Sequence, residues 1–486
     1  MREYELIVFL QLVLLAAVVI LREPKLLIPC VVLGLPFEYV STQSLATLGE
    51  GGTGGIIRTL LNPGKAAMLA TVVFAVIRAR HNPKALFPDS EIMLPMVALL
   101  FVVLMGVAWS DSMRPTNGVL IMPMYVAFVF AAPSLIEDRK DLERIVAAFL
   151  ISASILSVVA IAQRVLGVFQ WRAILIQSDD YSYRSNAFFA DPNNLARFLA
   201  ISIALSAGMI MVSGPRRLTV YLAAPMIAVC MVGIVTTASR SGWLGMLLAS
   251  FLVVVMSPIR KYTKIRLTAL AFGGLAFALV LLFMQGGANA QRVQSLTSGI
   301  QILGQREFLI KGGWEMWKDN PLVGVGSGNY QHTLLISYLW TLPWWAKTTL
   351  SHTSFISILA ELGVVGVGML IFFAIRVIVA CKSAYKFSDD RYSRLMAVWC
   401  AAALIEILFQ SQSEGRLLEE PFLYLIFAIL VAIELGAGTR GHNPVVEPLG
   451  ETVREPRPEP VRIPARAPEP QPTPAGVRSV SSPETS

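Results

Sequence analysis

The sequence predicts an all-α, polytopic membrane protein with 12 or 13 transmembrane helices and one large loop between the tenth and eleventh. Three observations predict it. Charged residues make up 15% of the chain, against about 25% in globular proteins, while 55% are hydrophobic and mean hydropathy is +0.63. Apolar runs long enough to cross a bilayer recur from residue 5 to residue 438. Alternate short loops between them are rich in Lys and Arg, the mark of cytoplasmic loops. An outer-membrane barrel would show short alternating segments instead.

In chain order the spans are expected at residues 5–21, 25–41, 60–80, 92–109, 117–135, 145–166, 193–213, 218–236, 241–257, 267–284, 352–381, 395–412 and 421–438. No small-residue cleavage pattern precedes "LREPK", so the first run is expected to be a retained helix. The stretch 218–257 is about twice the length of a bilayer core and has to turn. Its polar break is "TTASRSG", residues 236–242, with Arg240 at the tip.

The basic loops "REPK" (22–25), "RARHNPK" (78–84), "EDRKDLER" (137–144), "GPRR" (214–217), "PIRKYTKIR" (258–266) and "CKSAYKFSDDRYSR" (381–394) assign themselves to the cytoplasm. The intervening loops, 42–59, 110–116, 167–192, 236–242, 285–351 and 413–420, then lie outside. The net charge of +8 follows from this pattern and needs no nucleic acid. Residues 1–438 are expected to form the membrane domain. Residues 439–486, "EPRPEPVRIPARAPEPQPTP" among them, lack the apolar content to order and are expected to be a disordered cytoplasmic tail. Cys30, Cys230, Cys381 and Cys400 lie in apolar segments without metal-ligand spacing and read as packing residues.

The outer face holds the unusual residues. Arg184, Arg240, Arg306 and His352 all fall there, on the side where the charge rule expects few cations. Converging arginines could form an anion site, because a guanidinium fork suits phosphate oxygens. The loop 285–351 carries Trp314, Trp317, Trp340, Trp344 and Trp345, five of the nine tryptophans. These read either as a headgroup-level aromatic belt or as a lid touching lipid tails or sugar rings. "REFLIKGGWEMWKDNP" (306–321) predicts a helix stopped at Asn320-Pro321. "GVGSGNY" (324–330) lacks the lysine and preceding strand of a phosphate loop and reads as a flexible turn.

In "SHTSFISILAELG" (351–363), Ser351 is a plausible N-cap, with His352 at the start of the next helix. A neutral histidine there is suited to general-base work, the alternative being a structural, hydrogen-bonded one. Glu361 lies about 13 Å further along and needs an interior partner. Gly363, Gly366 and Gly368 are expected to let a neighbouring helix approach. Other charges inside the spans read as few, which argues against a small-anion transporter working at the midplane.

Together, "RSNAFFADPNNLA" (184–196), "TTASRSGWLG" (236–245), "GQREFLIKGGWEMWKDNPLVGVGSGNY" (304–330) and "SHTSFISILAELGVVG" (351–366) resemble the bacterial O-antigen ligase/polymerase family of integral-membrane glycosyltransferases. The resemblance spans roughly residues 60–435. It implies a multi-pass protein of the bacterial inner membrane with a periplasmic active site. It further implies inverting transfer of a glycan from an undecaprenyl-diphosphate carrier to a hydroxyl of a glycan or lipid acceptor, or polymerisation of carrier-linked repeat units. No metal or cofactor is expected. By motif, His352 is the expected base and Arg240 and Arg306 bind the diphosphate. Arg184, Asn193, Trp314 and Tyr330 are the expected substrate contacts. Asn186 stands where the family commonly has glycine, and Thr353 where it has asparagine. The sequence does not specify sugar, acceptor or oligomeric state.

Overall fold

The computed structural model describes residues 2–37, 62–80, 86–110, 117–169, 184–213, 218–257, 305–344, 351, 353–388, 390–415 and 417–437. Among these, every regular element is helical. They are α1 (Arg2–Ile20), α2 (Leu27–Gly34), α3 (Pro63–Ala79), α4 (Met93–Val107), α5 (Asn117–Ala131), α6 (Arg139–Leu166) and α7 (Pro192–Ser213). There follow α8 (Leu218–Thr236), α9 (Arg240–Met256), α10 (Gln305–Asp319), α11 (Tyr330–Ser337), α12 (Ser354–Phe387), α13 (Arg391–Glu414) and α14 (Pro421–Glu434). Helices fall in the expected spans, although that of 25–41 covers only Leu27–Gly34, and residues 38–41, 60–61, 267–284 and the tail 439–486 lie outside the described residues. Four of them, α6, α7, α12 and α13, are long and apolar enough to cross a bilayer, and further shorter helices are apolar.

The interior is built where α6, α7, α13 and α14 meet. Trp399 is fully buried, stacks edge-on against Phe149 at 5.3 Å and donates its indole N–H to the Ile201 carbonyl at 3.0 Å. Phe198 bridges Phe149 and Phe422, with centroids 5.7 and 5.1 Å away. Residues 421–433 of α14 are all buried. A helix walled by protein need not match the lipid thickness, so its short length is tolerated. Among apolar tails there is little hydrophobic gain on association, so close packing and hydrogen bonds of this kind hold the helices together.

Contacts between loops sort into two ends. At one, Lys25 reaches Glu137 (3.3 Å), Asp138 (3.7 Å) and Asp141 (3.0 Å), Arg78 meets Glu137 at 2.7 Å, and the Arg139 guanidinium lies 4.7 Å from the Tyr392 ring centre. At the other, Arg184 reaches Thr237, Ser327 reaches Gly106 and Arg306 reaches Ser413. Each contact joins segments that the charge pattern put on one face.

Asp141 organises the first end. Its carboxylate accepts from the backbone N–H of Glu137 (3.1 Å) and Asp138 (3.3 Å), and Asp138 returns the bond to the Asp141 N–H at 3.0 Å, capping α6. Burial disfavours the Lys25 ammonium, but Asp141 and Glu137 outweigh it and hold its pKa above the ordinary 10.5. That contribution is therefore complete at neutral pH and fades only as pH rises through the raised value. Asp141→Ala removes the reciprocal half of the capping box and the nearest of the three carboxylates around Lys25, and should cost about 1–2 kcal/mol. The check is the thermal unfolding midpoint in detergent at pH 7; an unchanged midpoint contradicts the assignment.

One departure from the expected span positions the site. The segment 352–381 is not a straight helix, because α12 breaks at Gly363, with φ 61° and ψ −159°. The break frees backbone groups, and residues 321–326 of the preceding loop take them up. Val325 N–H donates to the Ala360 carbonyl (2.9 Å) and Gly326 N–H to that of Glu361 (2.9 Å). In return Val364 and Val365 donate to the carbonyls of Pro321 (2.9 Å) and Leu322 (3.2 Å). The Glu361 carboxylate accepts from Gly328 N–H and Tyr330 N–H, both at 3.0 Å. These are the partners an acid inside a span requires. "GVGSGNY" is thus a docked segment and not a loose turn. Its Ser327 also anchors on α4, donating its N–H to Gly106 (3.1 Å) and its hydroxyl to Val103 (2.6 Å). The close neighbour at Gly363 is this loop, whereas Gly368 has nothing near its Cβ position, so the expected helix-helix stripe does not form.

Candidate functional site

The segment before α7 is laced to its surroundings by side-chain hydrogen bonds. Arg184 donates through Nε to the Thr237 carbonyl (2.9 Å) and through Nη2 to Asn193 Oδ1 (2.6 Å). The neighbouring Ser185 N–H reaches Thr236 at 3.0 Å. Gln163 of α6 accepts from the N–H groups of Asn186 (3.2 Å) and Ala187 (2.9 Å), and Asn186 closes the turn onto the Phe189 carbonyl at 2.6 Å. Asn186 therefore supplies a bond that a glycine could not. Arg184 and Asn193 come together, and Arg184 also joins the turn that carries Arg240.

Arg240 opens α9 immediately after Ser239, whose hydroxyl caps the helix by accepting from Gly242 N–H at 3.2 Å. Helix α9 runs antiparallel to α13. Gly245 lies beside Glu406 and Gln410, while Val253 and Leu395 both lie beside Gly208. Continued by about a turn and a half at 3.6 residues per turn, this register puts Arg240 level with the last turn of α13.

That last turn receives Arg306 and the start of α12. Arg306, in the first turn of α10, donates Nη2 to the Ser413 carbonyl at 3.1 Å. Ser354, the first residue of α12, donates its hydroxyl to the Ser411 carbonyl at 3.0 Å, and Phe355 N–H reaches Gln412 Oε1 at 3.3 Å. His352 lies outside the described residues. On either side of it, the Ser351 hydroxyl accepts from Thr353 N–H at 3.3 Å and pairs with the Ser357 hydroxyl at 2.6 Å. The N-cap of α12 is Thr353, two residues later than expected, with Ser351 bracing the approach.

Tyr330 and Trp314 sit apart from this cluster. Tyr330 is buried, its ring against Gly313 and its hydroxyl donated to the Leu309 carbonyl, and burial pushes that hydroxyl's pKa well up. It is a pillar between α10 and α12, packed with Leu309, Met316, Leu334 and Ala360. Trp314 is 42% exposed on α10, with its ring centre 4.6 Å from that of Trp317. Farther along, Ile336, Leu339, Trp340 and Trp344 are also exposed.

The sequence reading overlooked Arg197, Glu406, Glu414 and Glu420. Arg197 of α7 is 1% exposed and donates Nη2 to Glu414 at 2.5 Å and Nη1 to Glu420. Glu406, two turns before Glu414, is fully buried. Buried charges in the spans are therefore more than few. The signal was present: an arginine inside one expected span and a glutamate inside another each require a partner.

Residues 225–371 match the family model described as O-antigen ligase. That stretch contains Arg240, Arg306, Trp314, Tyr330 and His352, while Arg184 and Asn193 lie before it. No curated protein matches the chain. Apolar helices that recur through the described residues, together with this match, support a multi-pass membrane protein similar to the O-antigen ligase family.

Proposed function

We propose that this protein transfers a glycan from an undecaprenyl-diphosphate carrier to an acceptor hydroxyl at the periplasmic face of the inner membrane. The observation that carries the reading is the seating of Arg306 on the Ser413 carbonyl, at the helix end where Ser354 opens α12 and with which Arg240 is level. The acceptor oxygen attacks the anomeric carbon from the face opposite the diphosphate. The bond from that carbon to the diphosphate oxygen breaks, its electron pair leaves with the carrier, and the acceptor proton passes to His352. Configuration inverts. Charge grows on the leaving diphosphate as the bond breaks, so fixed guanidinium groups bind the transition state more tightly than the ground state.

Arg184, held by Asn193, lines the same end, and exposed Trp314 offers a face to sugar or lipid. Tyr330 holds α10 in place and does not touch substrate. The segregation of loop contacts to two ends supports a site on the face opposite the Lys25–Asp141 cluster, which the basic loops mark as cytoplasmic. Arg197 and its carboxylates tie into the end of α13, which suits an anchor better than a midplane transport site.

The test incubates purified protein with a lipid-linked oligosaccharide and candidate acceptors and weighs the products. Joining to a foreign acceptor indicates ligation, and growth of the donor's own glycan indicates polymerisation. No product with any acceptor sinks the proposal. Arg306→Lys should slow transfer by about 10²-fold, because a point charge cannot replace the planar fork. A wild-type rate for that variant removes Arg306 from the diphosphate.

A further inference from the structure

Four consecutive residues at the end of α13 carry four attachments. The Ser411 carbonyl takes the Ser354 hydroxyl (3.0 Å), Gln412 takes Phe355 N–H (3.3 Å), the Ser413 carbonyl takes Arg306 (3.1 Å) and Glu414 takes Arg197 (2.5 Å). The first three belong to the candidate site or the helix that leads from it. The fourth belongs to α7, where Asn193, the partner of Arg184, lies four residues before Arg197 on the same helix face.

The end of a helix is its weakest part, since its last carbonyls lack partners within the helix. Here α13 stops at Gly415, in the left-handed conformation with φ 73°. The Gly415 N–H closes one bond to the Ser411 carbonyl at 2.9 Å, and the carbonyls after it are left to be held from outside. Arg197 holds this final turn. One arm of the guanidinium takes Glu414 before the turn and the other takes Glu420 after it, so a single rigid fork clamps both sides of the chain reversal to α7.

We propose that Arg197 is a positioning residue for glycan transfer. It does not touch substrate. It fixes the last turn of α13 and thereby the placement of Arg306 relative to the Arg184–Asn193 pair on its own helix. This inference rests on the proposed transfer reaction.

The test is a cycle of four full-length purified proteins: wild type, Arg197→Gln, Arg306→Lys and the double variant. Each is assayed with a lipid-linked oligosaccharide donor for kcat and donor KM. Arg197→Gln should lower kcat by about 10²-fold, the effect of a misplacement near 1 Å. Donor KM should stay within about threefold, because the group displaced acts mainly in the transition state. Since Arg197 acts through Arg306, the double variant should be no slower than the slower single variant. A double variant whose loss is the product of the two single losses overturns the inference, because a general loss of stability acts independently of Arg306.

If Arg197→Gln fails to fold, Glu414→Gln enters the same cycle, since it keeps the shape and removes one charge. A wild-type rate for Glu414→Gln, or losses that multiply with those of Arg306→Lys, also overturns it. The two readings fail differently. A wild type that transfers nothing removes the proposed function and this inference with it. A wild type that transfers and depends on Arg306, but not on Arg197 through Arg306, removes the positioning role alone.

Discussion

His352→Ala should lower glycan transfer by about 10³-fold in protein that still purifies and unfolds as the wild type does, the effect of removing a general base. The argument comes from the chain on either side. Ser351 is braced by Thr353 N–H and the Ser357 hydroxyl, and Ser354 is fixed to the Ser411 carbonyl. The same helix end carries Arg306 on Ser413. The chain that follows His352 is therefore tied to the same helix end as the arginine assigned to the leaving group. Neither brace uses the imidazole as a partner, so its loss should leave α12 capped and the thermal midpoint unchanged. The measurement is the single-turnover rate with a lipid-linked oligosaccharide and excess acceptor. Full activity removes the base assignment, and a parallel fall in the unfolding midpoint makes His352 a structural residue.

The helices were legible in the sequence because a bilayer demands long apolar runs, and run length survives without knowledge of packing. The grouping of loops was legible for the same kind of reason. Lysine and arginine distribution is set by the membrane, not by contacts, and the pairs Lys25–Asp141 and Arg184–Thr237 each join segments assigned to one face. What stayed hidden depends on partners far apart in the chain. Glu361 visibly needed a partner, but the groups that supply it are backbone N–H donors of Gly328 and Tyr330, which no side-chain pattern marks. The clamp of Arg197 could have been found by asking of every charge in a span what was asked of Glu361. Its reach to Glu414 and Glu420, more than 200 positions later, could not. The break at Gly363 was hidden for a third reason. Apolar residues continue across it, so neither composition nor period changes where the backbone turns.

That break leads to the largest stability effect expected. Gly363→Val should destabilise the protein by more than about 3 kcal/mol and release the docked loop. The conformation at Gly363, φ 61° and ψ −159°, is one that residues with a Cβ essentially do not adopt. Space forbids it as well: a Cβ there would lie 2.3 Å from the Leu322 carbonyl oxygen, which is backbone and cannot swing aside. Relief by straightening α12 would break the four bonds that residues 321–326 make to Ala360, Glu361, Val364 and Val365. Should the valine variant not accumulate, Glu361→Gln gives a milder version. It keeps the side chain's size but replaces one acceptor oxygen with a donor, leaving either Gly328 or Tyr330 N–H unmatched, at a cost of about 1–3 kcal/mol. Hydrogen exchange should then quicken across residues 325–330. Transfer should also slow, because this loop continues directly from α10, which carries Arg306. Wild-type protection of those amides in Glu361→Gln would mean that the loop is held by something other than the broken helix.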